Sequence, residues 1–256
     1  AGVLLPASYL NLSVTNAAAA RVSAEGRLTG LANGYGALVA SRGDILAATA
    51  FTVGEQSTVD RALAVAGLDF FPGAVTIAAN GAGTRQVLLT ALGDSVASGD
   101  AGTLYFVSHA GVVTVSRDGL LTGGTPGTAI VTAIHKMNEV RIPVKVETPR
   151  TGPATVGVDG GVVSGGGGLA VAVAPGALDG DVTVSIAPLA AQDLGVPLPP
   201  ADSGFAYGTA FRLQVGDAPL DVPLQLAAPT PGLAPGSKVL FYRVFDIPTG
   251  NGVTTR

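Results

Sequence analysis

Val115-Ser116-Arg117-Asp118-Gly119-Leu120-Leu121-Thr122-Gly123 restates, 93 positions downstream, the pattern Val22-Ser23-Ala24-Glu25-Gly26-Arg27-Leu28-Thr29-Gly30. The alignment needs no gap through Ala40 and Ala133, and eight of its nineteen positions are identical, Gly34 with Gly127 among them. Agreement of that kind marks two copies of one module. Its physics reads locally. Val115 ends a strand, and Ser116 to Gly119 make a tight turn whose glycine is free to take a positive φ. Leu120 to Thr122 form a short strand, and Pro126-Gly127 is a second turn. Ala129 to Ile134 are rich in β-branched residues, and Val140, Ile142, Val144 and Val146 alternate strictly with other residues. Upstream, Val75 with Ile77, Val87 with Leu89, and Leu104 with Phe106 and Val107 mark earlier strands. About seven short strands in roughly 85 residues, separated by turns, describe a β-sandwich.

Composition narrows the function classes. The chain has 256 residues with 37 glycines and 17 prolines, so turns are frequent and long helices are not expected. Charged residues are 12% against an average of roughly 25%. Apolar residues at 47% with a net charge of −4 exclude intrinsic disorder. The 14 basic residues are scattered and the pI is near 5.0, which excludes a nucleic-acid partner. With no cysteine, disulfides, thiolate metal sites and cysteine nucleophiles are excluded too. The most apolar stretches, Ile45–Val53 and Leu169–Val173, fall well short of the roughly 18 residues of a spanning helix, so no membrane-spanning segment is expected. Ala1-Gly2-Val3-Leu4-Leu5-Pro6 lacks a basic n-region and an initiating Met. It reads as the start of a processed or excised piece of a secreted chain.

The order Val-Ser-x-x-Gly-x-Leu-Thr-Gly, then Pro-Gly-Thr-Ala, then an alternating strand, resembles the bacterial Ig-like group 2 (BIG2) module. Ser108 followed by Val113-Thr114-Val115-Ser116 fits as well, with Phe106 where the family usually has tryptophan. The second copy, about 63 to 148, matches throughout. The first matches only its later half, since residue 1 aligns with residue 94. The resemblance implies Ig-like sandwiches used as spacer or adhesive units on cell surfaces. After Pro149-Arg150-Thr151-Gly152-Pro153, read as a linker, the signatures change. Val158 to Val163, the Gly165 to Gly168 run, Leu169 to Val173, Pro175-Gly176-Ala177 and Val182 to Ile186 resemble a ZU5-type β domain over about 155 to 245. Strands are expected also at Phe211 to Val215, Pro219 to Leu226 and Val239 to Tyr242. Some ZU5 domains self-cleave at a His-Phe-Ser site, but this region has no histidine and that activity does not carry over. The expected architecture is therefore all-β: tandem Ig-like β-sandwiches, 1–60 partial and 61–149 complete, followed by a ZU5-like β-sandwich over 150–256.

Chemistry has few places to reside. His109 and His135 are the two imidazoles. One follows Ser108 at a turn and the other lies in the hairpin Ile134-His135-Lys136-Met137-Asn138; both read as solvated loop residues. No Gly-x-Ser-x-Gly elbow is present to supply a nucleophile. The Gly165 to Gly168 run lacks the following Gly-Lys-Ser/Thr and helix of a phosphate loop and reads as a turn. Asp179 and Asp181 flank Gly180, and Asp159 precedes Gly160-Gly161, but calcium needs six or more converging oxygens and these carboxylates are isolated. No residue is assigned a catalytic, cofactor-binding or metal-ligating role, and no cofactor is expected. What remains is surface. Sparse charge leaves many outward strand positions apolar or small, and a large continuous patch of that kind marks an interface. The expectation is a non-enzymatic, extracellular structural protein. It would serve as a subunit of a surface filament, sheath or layer, or as a stalk segment of a large adhesin, self-assembling with identical subunits. A sandwich lacking its first strands exposes a sheet edge, so strand donation from a sister subunit is one expected mode of joining. The competing reading is a non-catalytic region of a secreted polysaccharide-active enzyme. That reading needs an exposed aromatic row, whereas Tyr9, Tyr35, Tyr105, Tyr207 and Tyr242 are dispersed.

Overall fold

In a computed structural model the described residues are 6–200, 202–216, 219–234, 237–244, 246–249 and 252–255. The expectations placed on the first five residues and on Gly250, Asn251 and Arg256 lie outside them. The chain divides into two compact units, Ala1–Thr148 and Pro149–Arg256. Both are built from strands, as the alternating apolar pattern requires, and the fold class is all-β.

The first unit begins with β1 (Asn11–Val14), β2 (Ala20–Val22), β3 (Leu28–Gly30), β4 (Gly34–Arg42) and β5 (Ile45–Val53). After helix α1 (Thr58–Ala66) come β6 (Asp69–Phe71), β7 (Val75–Ala78), β8 (Thr84–Gln86), β9 (Leu88–Ala91) and β10 (Asp94–Ser95). The unit closes with β11 (Thr103–Val107), β12 (Val113–Val115), β13 (Leu120–Gly123), β14 (Gly127–His135) and β15 (Asn138–Glu147). The duplication read from sequence is a duplication of hydrogen-bond register. Val22 faces Leu28 across β2–β3, and Val115 faces Leu121 across β12–β13. Asn11 faces Ser41 across β1–β4, and Leu104 faces Ile134 across β11–β14. Gly34 faces Val53 across β4–β5, and Gly127 faces Val146 across β14–β15. Every one of these pairs is shifted by 93.

The second repeat has strands with no counterpart among the described residues of the first. β7 joins β15 in parallel, with Val75 opposite Val144, and β8 joins β13 antiparallel, with Arg85 opposite Leu121. A four-stranded sheet (β11-β14-β15-β7) and a three-stranded one (β12-β13-β8) then enclose a core that includes Val75, Val87, Val113, Leu121, Val131 and Val144. Tyr105 packs against this core; burial pushes its phenol up to about 12, and its hydroxyl donates to the Ala97 carbonyl at 2.7 Å. The first repeat keeps the sheets β1-β4-β5 and β2-β3 around a much smaller core of Ala19, Ala20 and Phe51, flanked by Val14, Leu38 and Val53.

The two repeats are not beads on a Pro/Gly string. Between them runs α1, capped by Ser57, whose hydroxyl oxygen accepts the Asp60 N–H at 3.1 Å. The boundary expected at residue 60 falls inside this helix.

The second unit contains β16 (Arg150–Thr151), β17 (Ala154–Val156), β18 (Gly161–Gly166), β19 (Leu169–Val173), β20 (Val182–Leu189), β21 (Ala210–Gln214) and β22 (Gln225–Ala227). A hairpin of β23 (Asp246–Thr249) and β24 (Gly252–Thr255) follows. The sheets β16-β18-β19-β22 and β17-β20-β21 sandwich a core that includes Val156, Val163, Leu169, Val171, Val184 and Ile186. Two expectations change. The stretch read as a linker is part of a sheet, because Arg150 and Thr151 pair with Val163 and Ser164. Val239 to Tyr242, apolar throughout, forms no strand and stands exposed, and of Pro219 to Leu226 only Gln225 and Leu226 enter one. Strand propensity becomes a strand only where a neighbouring edge accepts the hydrogen bonds.

Candidate interaction surfaces

The residues weighed for chemistry are scattered. His109 is exposed, and its Nδ1 lies 2.9 Å from the Ser108 hydroxyl, which also accepts the Ile130 N–H at 2.8 Å. The pair pins a loop to a strand. Asp159, Asp179 and Asp181 are all exposed, and among the described residues no three His, Asp or Glu side chains cluster as metal ligands do. Gly166, Gly167 and Gly168 have φ of +79°, +59° and +84° and close the β18–β19 hairpin. Arg21, Val22, Ser23, Arg27 and Thr29 line an open groove on the β2–β3 hairpin.

His135 departs from the solvated loop residue expected of it. It ends β14 and is only 4% exposed. The Thr103 hydroxyl donates to the Val96 carbonyl, so its lone pair accepts from His135 Nδ1–H at 3.0 Å. Burial holds the imidazole pKa below its ordinary value, with Lys136 acting in the same direction and Asp60 opposing. Because the unfolded chain then binds a proton more readily, stability is present above the ordinary histidine pKa near 6.5 and is lost as pH falls through the folded value. Urea unfolding between pH 7.5 and 5 is expected to show this loss for the first unit, and a His135→Phe variant is expected to lack the histidine part of the slope. An unchanged slope in the variant would assign the acid sensitivity to other groups.

The built feature of the first unit is the contact between its repeats. On β4 and β5, Leu38 and Phe51 face the sandwich interior, whereas Ala37, Val39, Leu46, Ala48 and Ala50 face the other way. That outward face packs on the corresponding outward face of the second repeat, through Phe106 and Ile134. Ala37 and Ile134 are almost completely buried there, and small alanine side chains allow the close approach. Polar groups fix the position. The Leu46 N–H donates to the Ser108 carbonyl (3.0 Å), the Ala50 N–H to Glu139 Oε2 (2.7 Å), and Arg141 Nη2 to the Ala48 carbonyl (3.3 Å). Lys136 Nζ binds Asp60 Oδ1 at 2.7 Å, and Asn138 Nδ2 donates to the Leu63 carbonyl at 2.8 Å, which clamps α1 against the β14–β15 hairpin. The ion pair lowers the Asp60 pKa and raises that of Lys136.

Those bonds cap only part of the β5 edge. The next residue whose peptide groups alternate onto the same edge is Thr52, and among the described residues β5 has no strand neighbour but β4, and β3 none but β2. Leu28 on β3 is 38% exposed, whereas its equivalent Leu121 is fully buried.

No protein-family model matches this chain, and no curated protein does. Among solved structures, domains 4 and 5 of the S-layer protein SbsC are similar at 18% identity and a TM-score of 0.25, covering 56% of this chain and 72% of that one. A longer SbsC structure gives 15% identity and 0.28, covering 90% of this chain and 34% of that one. SbsC domains 4–9 give 15% and 0.27, covering 89% and 40%. This chain thus spans about a third of the longest of these structures.

Further apolar side chains stand on the surface. Ile45, Val65, Leu92 and Ile130 are exposed in the first unit, and Leu240, Phe241 and Tyr242 in the second. No helix among the described residues is long and apolar enough to cross a membrane, which leaves strands unaddressed.

Proposed function

We propose that this chain is a structural, non-enzymatic segment of an extracellular surface assembly, either a subunit of a filament, sheath or layer or a stalk segment of a large adhesin. The observation that carries the reading is the open side of the first repeat. Among the described residues, β5 and β3 of the first repeat each have a single strand neighbour, beside exposed apolar side chains, and such edges join neighbours. BIG2-like repeats followed by a ZU5-like domain fit the same role. Side chains that elsewhere form catalytic groups here hold backbone in place, as Glu139, Arg141 and Ser108 do. Subunits join head to tail through edges, and a heterologous contact that does not close on itself makes a fibre. Strand donation between sister subunits is the finer form of the proposal. Sedimentation of the full chain over a range of micromolar concentrations tests it: the expected result is mass growing with concentration, with ordered material under negative stain. A monodisperse monomer throughout would remove self-assembly.

A further inference from the structure

Side chains of the second repeat do on the β5 edge what a strand would do. We infer that Glu139 and Arg141 form a surrogate strand that closes β5 at Ala48 and Ala50, that Pro143 blanks the same register position on β15, and that both devices keep these edges from taking up a further strand. The inference goes beyond the assembly reading, since a chain that stays monomeric needs the guard as much as one that assembles.

The direction of the peptide groups identifies the edge. The Ala37 N–H donates to Thr15 Oγ1 at 2.8 Å, and its carbonyl accepts the Thr15 N–H at 3.0 Å. At the equivalent positions of the second repeat, the Ile130 N–H donates to Ser108 Oγ at 2.8 Å, and its carbonyl accepts the Ser108 N–H at 2.9 Å. Ala37 and Ile130 thus turn their peptide groups away from their hairpin partners, Ala50 and Pro143. Both are non-hydrogen-bonded pairs, in which the partner's peptide groups also point outward. On β5 those outward groups are met one by one. Ala50 donates to Glu139 Oε2, the Ala48 carbonyl accepts from Arg141 Nη2, and the same nitrogen holds Glu139 Oε1 at 2.9 Å. Side chains two residues apart on one face of β15 meet residues two apart on β5, the period at which a neighbouring strand presents its own groups. A carboxylate only accepts and a guanidinium only donates, so the roles are fixed. On β15 the equivalent of Ala50 is Pro143, which is exposed and has no N–H to offer. Among the described residues the strand neighbours of β15 are β14 and β7, and β7 reaches only Val144–Glu147. An edge held by charge or interrupted by proline is a poor template for another strand.

Two variants of the full chain test the two devices. Pro143→Ala installs at an exposed position the residue that the first repeat carries there, and so restores an outward donor. Its thioflavin-positive association is expected to begin at a concentration at least about threefold below that of the wild type. Pro126→Ala removes an exposed turn proline without adding a strand-edge donor, and is expected to match the wild type. In Glu139→Ala, hydrogen exchange at the Ala50 amide is expected to quicken about tenfold or more, with the Thr49 amide, which faces β4, unchanged. Glu139→Gln keeps a carbonyl acceptor and is expected to restore most of the Ala50 protection. Association of Pro143→Ala no sooner than the wild type or the Pro126→Ala control overturns the inference. So does an unchanged Ala50 amide in Glu139→Ala, or equal quickening at Ala50 and Thr49, which would make the pair a support of the whole repeat and not of its edge. Each readout is a comparison with wild type under one condition, so a monomeric wild type, which removes self-assembly, leaves this test intact.

Discussion

Replacing Gly165 by alanine is expected to unfold the second unit while leaving the first intact. Gly165 is the extra residue where the β18–β19 register shifts between Ser164 and Gly166, and this bulge presses the chain against β20. A Cβ there would lie 1.9 Å from the Ile186 carbonyl oxygen and 2.6 Å from its carbon. Both atoms belong to the backbone of a paired strand, so no rotamer change relieves the overlap. Core overpacking costs about 1–3 kcal/mol where side chains give way, and a backbone clash belongs at or beyond the upper end. Gly167→Ala is the control. Its φ is +59° and nothing lies within 4 Å of the added carbon, so only left-handed backbone strain of about 1–2 kcal/mol applies. Calorimetry of the full chain is expected to show the second unit's transition lost or sharply lowered in Gly165→Ala and modestly shifted in Gly167→Ala. Equal shifts in the two variants would refute the close-approach argument.

The second large effect is a contrast between two identical residues. Leu121 and Leu28 occupy the same position of the duplicated hairpin, but β8 and its associated core cover only Leu121. Leu121→Ala removes a fully buried side chain and leaves a cavity, an expected loss of about 3–4 kcal/mol. Leu28→Ala trims a partly exposed side chain, and a loss below about 1 kcal/mol is expected for the isolated chain. Chemical denaturation of the two variants under one condition measures the difference. If the two losses agree within error, Leu28 is covered in solution by something already bound, and the open side described above is closed.

Much of the first unit was readable from residues alone because its signals are local and repeated. Hairpin turns at Gly26 and Gly119 and the gapless spacing of 93 imposed the same register twice, and alternation at Val140 to Val146 set which face of β15 is buried. The all-β class follows from these. Local signals were also present for α1, since Ser57 and Asp60 stand three apart at its start, but a helix of nine residues between strands is a weak periodic pattern. What alternation does not encode is which edge a strand will find. Val239 to Tyr242 has the composition of a strand and pairs with nothing described, while Arg150 and Thr151, flanked by prolines, add to a sheet. His135 departs from its sequence expectation for a similar reason. A hairpin end looks solvated in sequence, but here α1 and the first repeat lie against it through Asp60 and Ala48. The contact between repeats was illegible because alanine-rich outward faces look like ordinary weakly polar surface until a second such face is found against them.

That contact constrains how larger architectures can grow. In an assembly of the kind proposed, the flank that each repeat presses on its twin is closed to any neighbour, so joining would fall to the remaining faces and edges of the doublet.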